Sequence, residues 1–458
     1  MQFRMVRNPA RSTRGVLGLA TLLLGCLVSC ASTPEALPTP TEFPKDAVVF
    51  LGAAAITGGA AASADKSGLP HELLEDGQSY KDSFDGIGSA FAYTGFGNRY
   101  LALSDRGPNK VQYKGGESVD FTTSYPNRFQ IVDVSVVKND NAWNVSAKLQ
   151  ATSLLTDEAG RNFTGISTAY TGSDPAKNLR LDSEGIRVAP DGTVWISDEY
   201  GPVIYHFDQS GKRLGSLKVP DAFLIAKPAP TLAEEMKPEN NTTGRYTNRG
   251  AEGLAISTDG KTLVVVLQSA LIQDGGAKGL GTRFLVYDLG DLSKEPKQFD
   301  YVCDSTKTAI SEIVAVNEHQ FLVDERDGVP GPKGVKLLYL VDVNQSPRPS
   351  DIAKVASLPL EGSSASIVAL KKTLFADLGS ILNAANPFKT AAGLPDKIEG
   401  IAFGPDLPDG RHLLLATNDN DYAGTFPNYI FAFAIDPKWL PGFKPVTLNQ
   451  GVRFIPAQ

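Results

Sequence analysis

The chain has 458 residues, a formal net charge of −7 and only four histidines and three cysteines. This length allows a sizeable core in one large domain or in closely repeated units. An acidic balance without a clustered basic stripe argues against nucleic acid as a partner, and four histidines with no paired ligand spacing argue against zinc.

The first 29 residues predict a secretory signal peptide. Four arginines before residue 15 precede an apolar run over 15–28 that is too short to span a membrane comfortably. The sequence Leu27-Val-Ser-Cys30 resembles a lipobox, which implies cleavage before Cys30 and diacylation of its thiol. Cys26 stands in a similar context, and an ordinary cleaved signal is the remaining alternative.

Residues 30–45 predict a flexible tether, because prolines among small polar residues cannot build a core. The folded domain then spans 46–458, and its single cysteine, Cys303, has no partner for a disulfide inside it. We therefore expect a monomer that is lipid-anchored to the bacterial cell envelope, on its periplasmic or extracellular face.

The segment 182–202 predicts two strands joined by a tight turn. Apolar and polar residues alternate on both sides of Asp191-Gly192, which supplies the positive φ angles of a two-residue hairpin turn. Glu184 opens the first strand, and Asp198 and Glu199 close the second. Because a hairpin folds back on itself, we expect these acids at one end of the sheet, holding a cation or a proton between them.

The same unit recurs four times, opening at Gly88, Glu252, Glu312 and Glu399. The openings lie about 60 to 100 residues apart, which exceeds the roughly 40 to 50 residues of one propeller blade. Each interval therefore holds one blade with an insertion, or occasionally two blades. We predict an all-β fold, a β-propeller of about six blades with loop and short helical insertions.

Two insertions between the repeats are predicted to lack the strand pattern. Residues 365–382 carry apolar side chains at helical spacing and predict a helix. Residues 221–249 are polar and rich in proline, which predicts a long surface loop that leads into the Glu252 unit. Loops on a rigid scaffold often shape a site.

In a propeller, equivalent residues of each blade face a shared axis. Glu184, Glu252, Glu312 and Glu399 are therefore expected to converge near the central channel. The alternative is that each glutamate caps a strand or binds backbone amides of the next blade, which would make the four acids architectural.

The motifs together resemble the phytase-like family, also called the esterase-like activity of phytase family, over about residues 85 to 436. The matching segments are Ser104-Asp-Arg-Gly-Pro108, Asp182-Ser-Glu-Gly-Ile186, Trp195-Ile-Ser-Asp-Glu-Tyr-Gly-Pro202, Asn248-Arg-Gly-Ala-Glu-Gly-Leu254, Ile310-Ser-Glu-Ile313, Val323-Asp-Glu-Arg-Asp-Gly328, Lys397-Ile-Glu-Gly-Ile401 and Asn418-Asp-Asn-Asp421. The resemblance implies a propeller and a metal-dependent hydrolytic activity. Where the family often has an acid at the end of the third unit, this chain has Gln268-Ser269.

Calcium suits this inventory of acids and amides, because hard cations take six to eight oxygen ligands. The predicted metal ligands are Glu184, Asp198, Glu252, Glu312, Asp324, Glu325, Glu399, Asp419 and Asp421. Asn418 and Asn420 offer further oxygens, although the run 418–421 is also a good turn. A Gly-x-Ser-x-Gly elbow is absent from the sequence, which argues against a serine esterase.

The sequence therefore predicts a calcium-dependent hydrolase of phosphate esters or phosphodiesters. Glu184 or Glu199 would accept a proton from water, and Arg106 or Arg326 would stabilise the developing charge. The cationic side chains expected to bind phosphate are Arg106, Arg249, Arg326 and Lys397. Alternatively these cations pair with neighbouring acids. Two other functions stay open: a lactonase or aryl esterase that uses calcium, and a non-catalytic binding module.

Overall fold

The computed structural model describes residues 43–56, 64–109, 120–170, 177–237, 239–388, 393–423 and 426–454. The predicted signal peptide, Cys30 and most of the predicted tether lie outside these residues. No helix in the described ranges is long and apolar enough to cross a membrane.

The described part of the chain is built almost entirely from β-strands. In chain order these are β1 Val48–Ile56, β2 Ala90–Tyr93, β3 Arg99–Leu103, β4 Arg128–Asn139, β5 Ala142–Leu154, β6 Ser183–Val188, β7 Val194–Asp198, β8 Val203–Phe207, β9 Arg213–Leu217, β10 Ala251–Ile256, β11 Thr262–Leu267, β12 Gly281–Asp288, β13 Lys297–Val302, β14 Ala309–Ala315, β15 Gln320–Arg326, β16 Lys336–Asp342, β17 Lys372–Asp377, β18 Ile398–Phe403, β19 His412–Asn418 and β20 Asn428–Ile435. The two α-helices among the described residues are α1 Leu232–Glu235 and α2 Leu378–Ala385.

The strands form five antiparallel sheets of four, which are the blades of a β-propeller. Blades 1 to 4 are β2–β5, β6–β9, β10–β13 and β14–β17, and blade 5 is β18–β20 with β1. The first strand of each blade contacts the first strand of the next, and β18 contacts β2, so the ring is closed. The predicted all-β propeller is confirmed. The described residues form five blades instead of the expected six, because each repeat interval holds one blade and an insertion.

Five apolar cores hold the ring together, and each lies between two adjacent blades. Phe129 and Ile131 of blade 1, for example, pack with Ile186 and Ile196 of blade 2 in one cluster. The other four clusters join the remaining neighbours in the same way. Both faces of every blade are therefore buried, which explains why strand patterns such as Leu413–Ala416 are continuously apolar.

The N-terminal strand closes the ring. β1 pairs antiparallel with β20, from Val48 opposite Ile435 to Ile56 opposite Asn428, and forms the outer edge of blade 5. The first and last parts of the folded chain thus share one sheet.

Removal of β1 tests this closure. We expect a chain that begins at residue 57 to unfold at a clearly lower temperature than one that begins at residue 43, because it loses nine residues of strand and exposes the β20 edge. Melting followed by circular dichroism measures the difference. Equal melting temperatures would show that the β1–β20 pairing does not stabilise the ring.

The predicted helix over 365–382 is wrong for most of its length. Residues 372–377 form β17, paired with β16, and α2 begins only after Asp377, whose side chain accepts a hydrogen bond from Ser380 N at 2.9 Å. Leu370 before β17 and Leu378 in α2 are buried, whereas Leu374 on the edge strand is exposed, so the helical spacing of these residues does not mark one buried helix face. The predicted loop over 221–249 is confirmed as the connection from β9 to β10, and it carries α1.

Candidate functional site

A β-bulge shapes the inner strand of blade 2. Ser183 pairs with Asp198 and Ile186 with Ile196, so Glu184 and Gly185 together face one residue of β7. A bulge of this kind turns a side chain out of the regular alternation. Here it directs Glu184 toward the channel entrance.

Blades 3 and 5 repeat the bulge with Glu252-Gly253 and Glu399-Gly400. The glycines are needed because the inner strands approach closely at this point. A Cβ at Gly400 would lie 2.7 Å from Phe91 N of the next blade, and one at Gly253 would lie 3.0 Å from the Glu312 backbone. The Glu-Gly pair is thus one unit, in which the glutamate faces the channel entrance and the glycine contacts the next blade.

Glu312 does not belong to this set, although the sequence suggested that it did. Ile310 pairs with Glu325 and Ile313 with Val323, so Ser311 takes the place of the glutamate and Glu312 takes the place of the glycine. The side chain of Glu312 consequently points to the face of β14 opposite the one from which Glu184, Glu252 and Glu399 point in their strands. The expected convergence of four glutamates is therefore corrected to three, with Ser311 at the fourth position.

Glu312 instead binds Arg187, which crosses the central channel. The Arg187 Nη2 atom lies 2.9 Å from Glu312 Oε1 and donates a hydrogen bond to Ile313 O at 2.6 Å, while Nη1 donates to Phe91 O of blade 1 at 3.1 Å. The pair blocks the channel below the three converging glutamates.

A cavity of about 280 Å³ lies on the side of the channel where these glutamates converge. Every described residue that lines it carries a charged or amide side chain: Arg106, Asn109, Glu184, Glu199, Asn248, Glu252, Gln268, Arg326, Lys397, Glu399 and Asp421. All five blades or the loops between them contribute. Such a cavity favours a small, strongly polar ligand.

Each cation of the cavity lining is already paired with an acid. Arg106 binds Asp182, and Arg326 binds Glu399 while its Nε donates to Ser311 Oγ at 2.7 Å. These contacts fix the two guanidinium groups in place and offset part of their positive charge. They agree with the alternative interpretation, in which these cations pair with neighbouring acids.

Lys397 connects the same cavity to the run after β19. Its Nζ donates to Asp419 Oδ2 at 2.8 Å and to Asp421 Oδ1 at 2.6 Å. The two asparagines of that run are used differently: Asn418 Oδ1 accepts from Tyr429 N at 2.7 Å, and Asn420 Oδ1 accepts from Gly86 N at 3.0 Å. The run thus combines a structural turn with two acids that face the site.

Glu184, Glu199 and Glu252 form the acidic centre of the cavity. One oxygen of each lies within 4.8 Å of the others, and all three side chains are buried. Glu199 Oε1 and Glu252 Oε2 have no hydrogen-bond partner among the described residues, and neither does Glu399 Oε2 nearby. Buried acceptors without donors call for a cation, a proton or water.

The pKa values of these acids respond to the same crowding. Burial, followed by the negative charge of Glu252, raises the pKa of Glu184 and of Glu199 well above the ordinary range. Burial and then Glu399 raise the pKa of Glu252 to about 8, although a hydrogen bond from Gln268 to Glu252 Oε1 at 3.0 Å works against this rise. Burial and mutual repulsion thus disfavour three separate negative charges at this point.

Four residues predicted for the site are placed elsewhere. Asp198 accepts hydrogen bonds from three backbone amides, among them Gly201 N at 2.8 Å, and Glu325 binds Lys372 Nζ at 2.7 Å. Asp324 is fully buried opposite Glu312, and burial raises its pKa well above the ordinary range. Arg249 does not line the cavity, whereas its neighbour Asn248 does.

Asp105 and Asp182 were not predicted but lie at the site. Asp182 binds Arg106, and both aspartates form an acidic group with Glu184. Asp105 also forms one with Asp419 and Asp421. The available signal for Asp105 was the repeat itself, because Ser104-Asp105 recurs as Ser197-Asp198 at the end of β7.

The model of the phytase-like family, described as esterase-like activity of phytase, matches residues 82–422. The chain is also 34% identical over 250 residues to an uncharacterized secreted protein of Arthroderma benhamiae, an alignment that covers 43% of this chain and 48% of that protein. The chain thus spans about half the length of this relative.

Similar solved structures include regucalcin, a calcium-binding protein of Agrobacterium tumefaciens (12% identity, TM-score 0.31, covering 80% of this chain and 94% of that one). A gluconolactonase of Xanthomonas campestris has 11% identity and a TM-score of 0.29, covering 86% and 99%. A luciferin-regenerating enzyme has 12% identity and a TM-score of 0.33, covering 80% and 95%. Similarity at this level carries no argument about function.

Proposed function

The chain belongs to the phytase-like family, and from this membership and the cavity we propose that it is a metal-dependent hydrolase of phosphate esters or phosphodiesters. The observation that carries the proposal is the group of Glu184, Glu199 and Glu252, in which two buried carboxylate oxygens lack a donor among the described residues. An acidic group of this kind with cationic side chains around it suits a cation and an anion bound together.

The donor set fits calcium or another hard cation, because all the available ligand atoms are carboxylate or amide oxygens. Glu184, Glu199 and Glu252 would hold the ion, and the Gln268 side chain keeps Glu252 oriented. Bound there, the ion would polarise a phosphoryl oxygen and lower the pKa of a coordinated water.

The side chains around the ion suit phosphate chemistry. With the ion bound to one oxygen of Glu184 or Glu199, the other oxygen of the same carboxylate would accept a proton from the coordinated water. Arg106 and Arg326 come from different blades. Asp182 holds Arg106, and Glu399 and Ser311 hold Arg326, so both guanidinium groups are oriented in advance to form bidentate hydrogen bonds with a phosphoryl group. With the acids uncompensated, the cavity would repel an anion, so cation binding precedes substrate binding.

The composition of the cavity lining favours phosphate esters over aryl esters and lactones as substrates. An aryl ester or lactone needs apolar surface for its carbon skeleton, and the described residues of the lining supply charged and amide groups instead. A non-catalytic module, in which the ion only stabilises the ring, is the second alternative.

An assay of the mature domain with the anchor cysteine removed tests the proposal. We expect release of phosphate from a phosphomonoester or phosphodiester that a chelator abolishes and calcium restores, and loss of this activity in Glu199→Gln. Glu318→Gln, which changes an acid that binds Lys444 away from the cavity, is the matched control and should keep full activity. Cleavage of carboxyl esters alone would favour the lactonase reading, and stabilisation by calcium without any turnover would favour the binding module.

We also propose that the protein acts at the cell envelope as a monomer anchored through Cys30. The supporting observations are the lipobox-like sequence and the proline-rich segment after it. The relative from Arthroderma benhamiae is named as secreted, which agrees with export.

A further inference from the structure

The loop between β9 and β10, which we call the insertion (residues 218–250), is anchored by one buried acid. Glu235, at the end of α1, is 2% exposed and lies outside the cavity lining. Its Oε1 accepts a hydrogen bond from Ala229 N at 3.2 Å, so the acid also fixes the fold of the insertion itself.

Two buried arginines hold the Glu235 carboxylate. Arg245 Nη2 donates to Oε2 at 2.6 Å, and Arg180 Nη2 donates to Oε1 at 3.3 Å. Arg180 belongs to the segment before blade 2, and its Nη1 also donates to Ala229 O at 3.0 Å. Glu235 therefore joins the insertion to the body of the propeller.

The same arginines reach the residue that follows Glu199. Arg245 Nε donates to Tyr200 O at 2.5 Å, and the Arg180 guanidinium lies over the Tyr200 ring, 4.6 Å from its centroid. The Arg106 guanidinium also lies over this ring, 5.6 Å away. Tyr200 thus stands between the Glu235 cluster and two residues of the cavity, Glu199 and Arg106.

The end of the insertion contacts the same two residues directly. Asn248 Oδ1 accepts a hydrogen bond from Arg106, and a Cβ at Gly250 would overlap the carbonyl oxygen of Glu199. If the insertion shifts, both the cation-binding acid and the phosphate-binding arginine lose a neighbour that fixes them.

We propose that Glu235 is a positioning residue, which holds the insertion so that Glu199 and Arg106 keep the geometry needed for cation and phosphate binding. The effect of Glu235 on cation and phosphate binding rests on the proposed function, whereas the chain of contacts from Glu235 through Arg245 to Tyr200 does not. Replacing Glu235 should therefore change two properties, the calcium affinity and the local stability of the insertion, and these are measured separately.

The first measurement is calcium affinity by titration calorimetry for Glu235→Gln, with Glu234→Gln as the control on the exposed side of the same helix. We expect Glu235→Gln to bind calcium about 10-fold or more weakly, the effect typical of residues that orient a metal ligand, and Glu234→Gln to match wild type. A folded Glu235→Gln protein with wild-type calcium affinity would overturn the proposal. Should Glu235→Gln fail to fold, Tyr200→Phe must retain more calcium affinity than Tyr200→Leu, because only phenylalanine keeps the ring under Arg106; equal affinities would also overturn it.

The second measurement is amide hydrogen exchange, which needs no ligand. We expect faster exchange in Glu235→Gln than in Glu234→Gln over residues 246–250 and at Arg106, whose backbone N–H donates to Asp182. Wild-type protection in both places would disprove the link. Faster exchange in a protein that binds no calcium would keep the link and reject the proposed function.

Discussion

Replacement of Glu312 by Gln will destabilise the protein by about 3 to 5 kcal/mol, because it leaves the Arg187 guanidinium buried without its charge partner. Glu312 is fully buried, and its carboxylate is the acid that Arg187 contacts where it crosses the channel. Replacement of Glu252 by Gln will do the opposite in the absence of metal, since it removes one of several crowded acids.

Urea unfolding of wild type and both variants in the presence of chelator measures whether each substitution lowers or raises the free energy of unfolding. The sequence places Glu312 and Glu252 at the same repeat position, so a shared role predicts effects of equal sign. A Glu312→Gln protein as stable as wild type would contradict the assignment of Glu312 to the channel block. An Arg187→Met/Glu312→Leu double variant is expected to be more stable than Glu312→Gln, because replacing both partners of a buried pair by apolar residues is often neutral.

The second large effect is a loss of stability of the metal-free protein as the pH rises from about 5 to about 8. Burial and then the charge of Glu399 raise the pKa of Glu252 to about 8 in the folded protein, against an ordinary value of 4.5. Between these values the folded state keeps a proton that the unfolded state has lost, so the free energy of unfolding falls as the pH rises through this window.

Calcium is expected to cancel part of this fall, because it replaces the protons and binds more tightly as they leave. Thermal melting at pH 5 and pH 8, with calcium or with chelator, measures both effects. We expect the Glu252→Gln protein to show a smaller fall than wild type and a smaller calcium response at pH 8. A metal-free wild-type protein that gains stability from pH 5 to pH 8 would contradict the crowding of protonated acids at this site.

The strands on either side of Asp191-Gly192 could be predicted because their alternating pattern is local, and they are β6 and β7 in the structure. The predicted two-residue turn is wrong: residues 190–192 connect the strands inside a hydrogen bond from Ala189 N to Thr193 O, and of the three only Gly192 has a positive φ. The number of blades could not be predicted, because the insertions make the repeat intervals uneven and the closing strand β1 comes from the other end of the chain. That pairing depends on long-range contacts that carry no local pattern.

The site was partly predictable for the same reason. Glu184, Glu252 and Glu399 are each followed by glycine, and the structure brings all three to the cavity. Glu312 is followed by isoleucine, and the missing glycine was the sequence signal that its register differs by one residue. A shift of one residue reverses the face to which a strand side chain points, and nothing in the composition reports it.

The distinction between Asp198 and Glu199 shows a further limit. They are adjacent acids at the end of β7, yet Asp198 binds backbone amides while Glu199 faces the cavity. Only the path of the chain after the strand decides which of the two points inward. The role of Asp182 could not be predicted from its own repeat, because its partner, Arg106, comes from a different blade.

Calcium titration calorimetry on wild type and on Glu184→Gln, Glu199→Gln, Glu252→Gln and Glu318→Gln tests the central claim, a shared cation at the three cavity glutamates, most directly. We predict that wild type and Glu318→Gln bind calcium equally and that each of the three cavity variants binds it at least about 10-fold more weakly. Equal calcium affinity in all five proteins would contradict the claim and leave these glutamates as parts of the propeller's architecture.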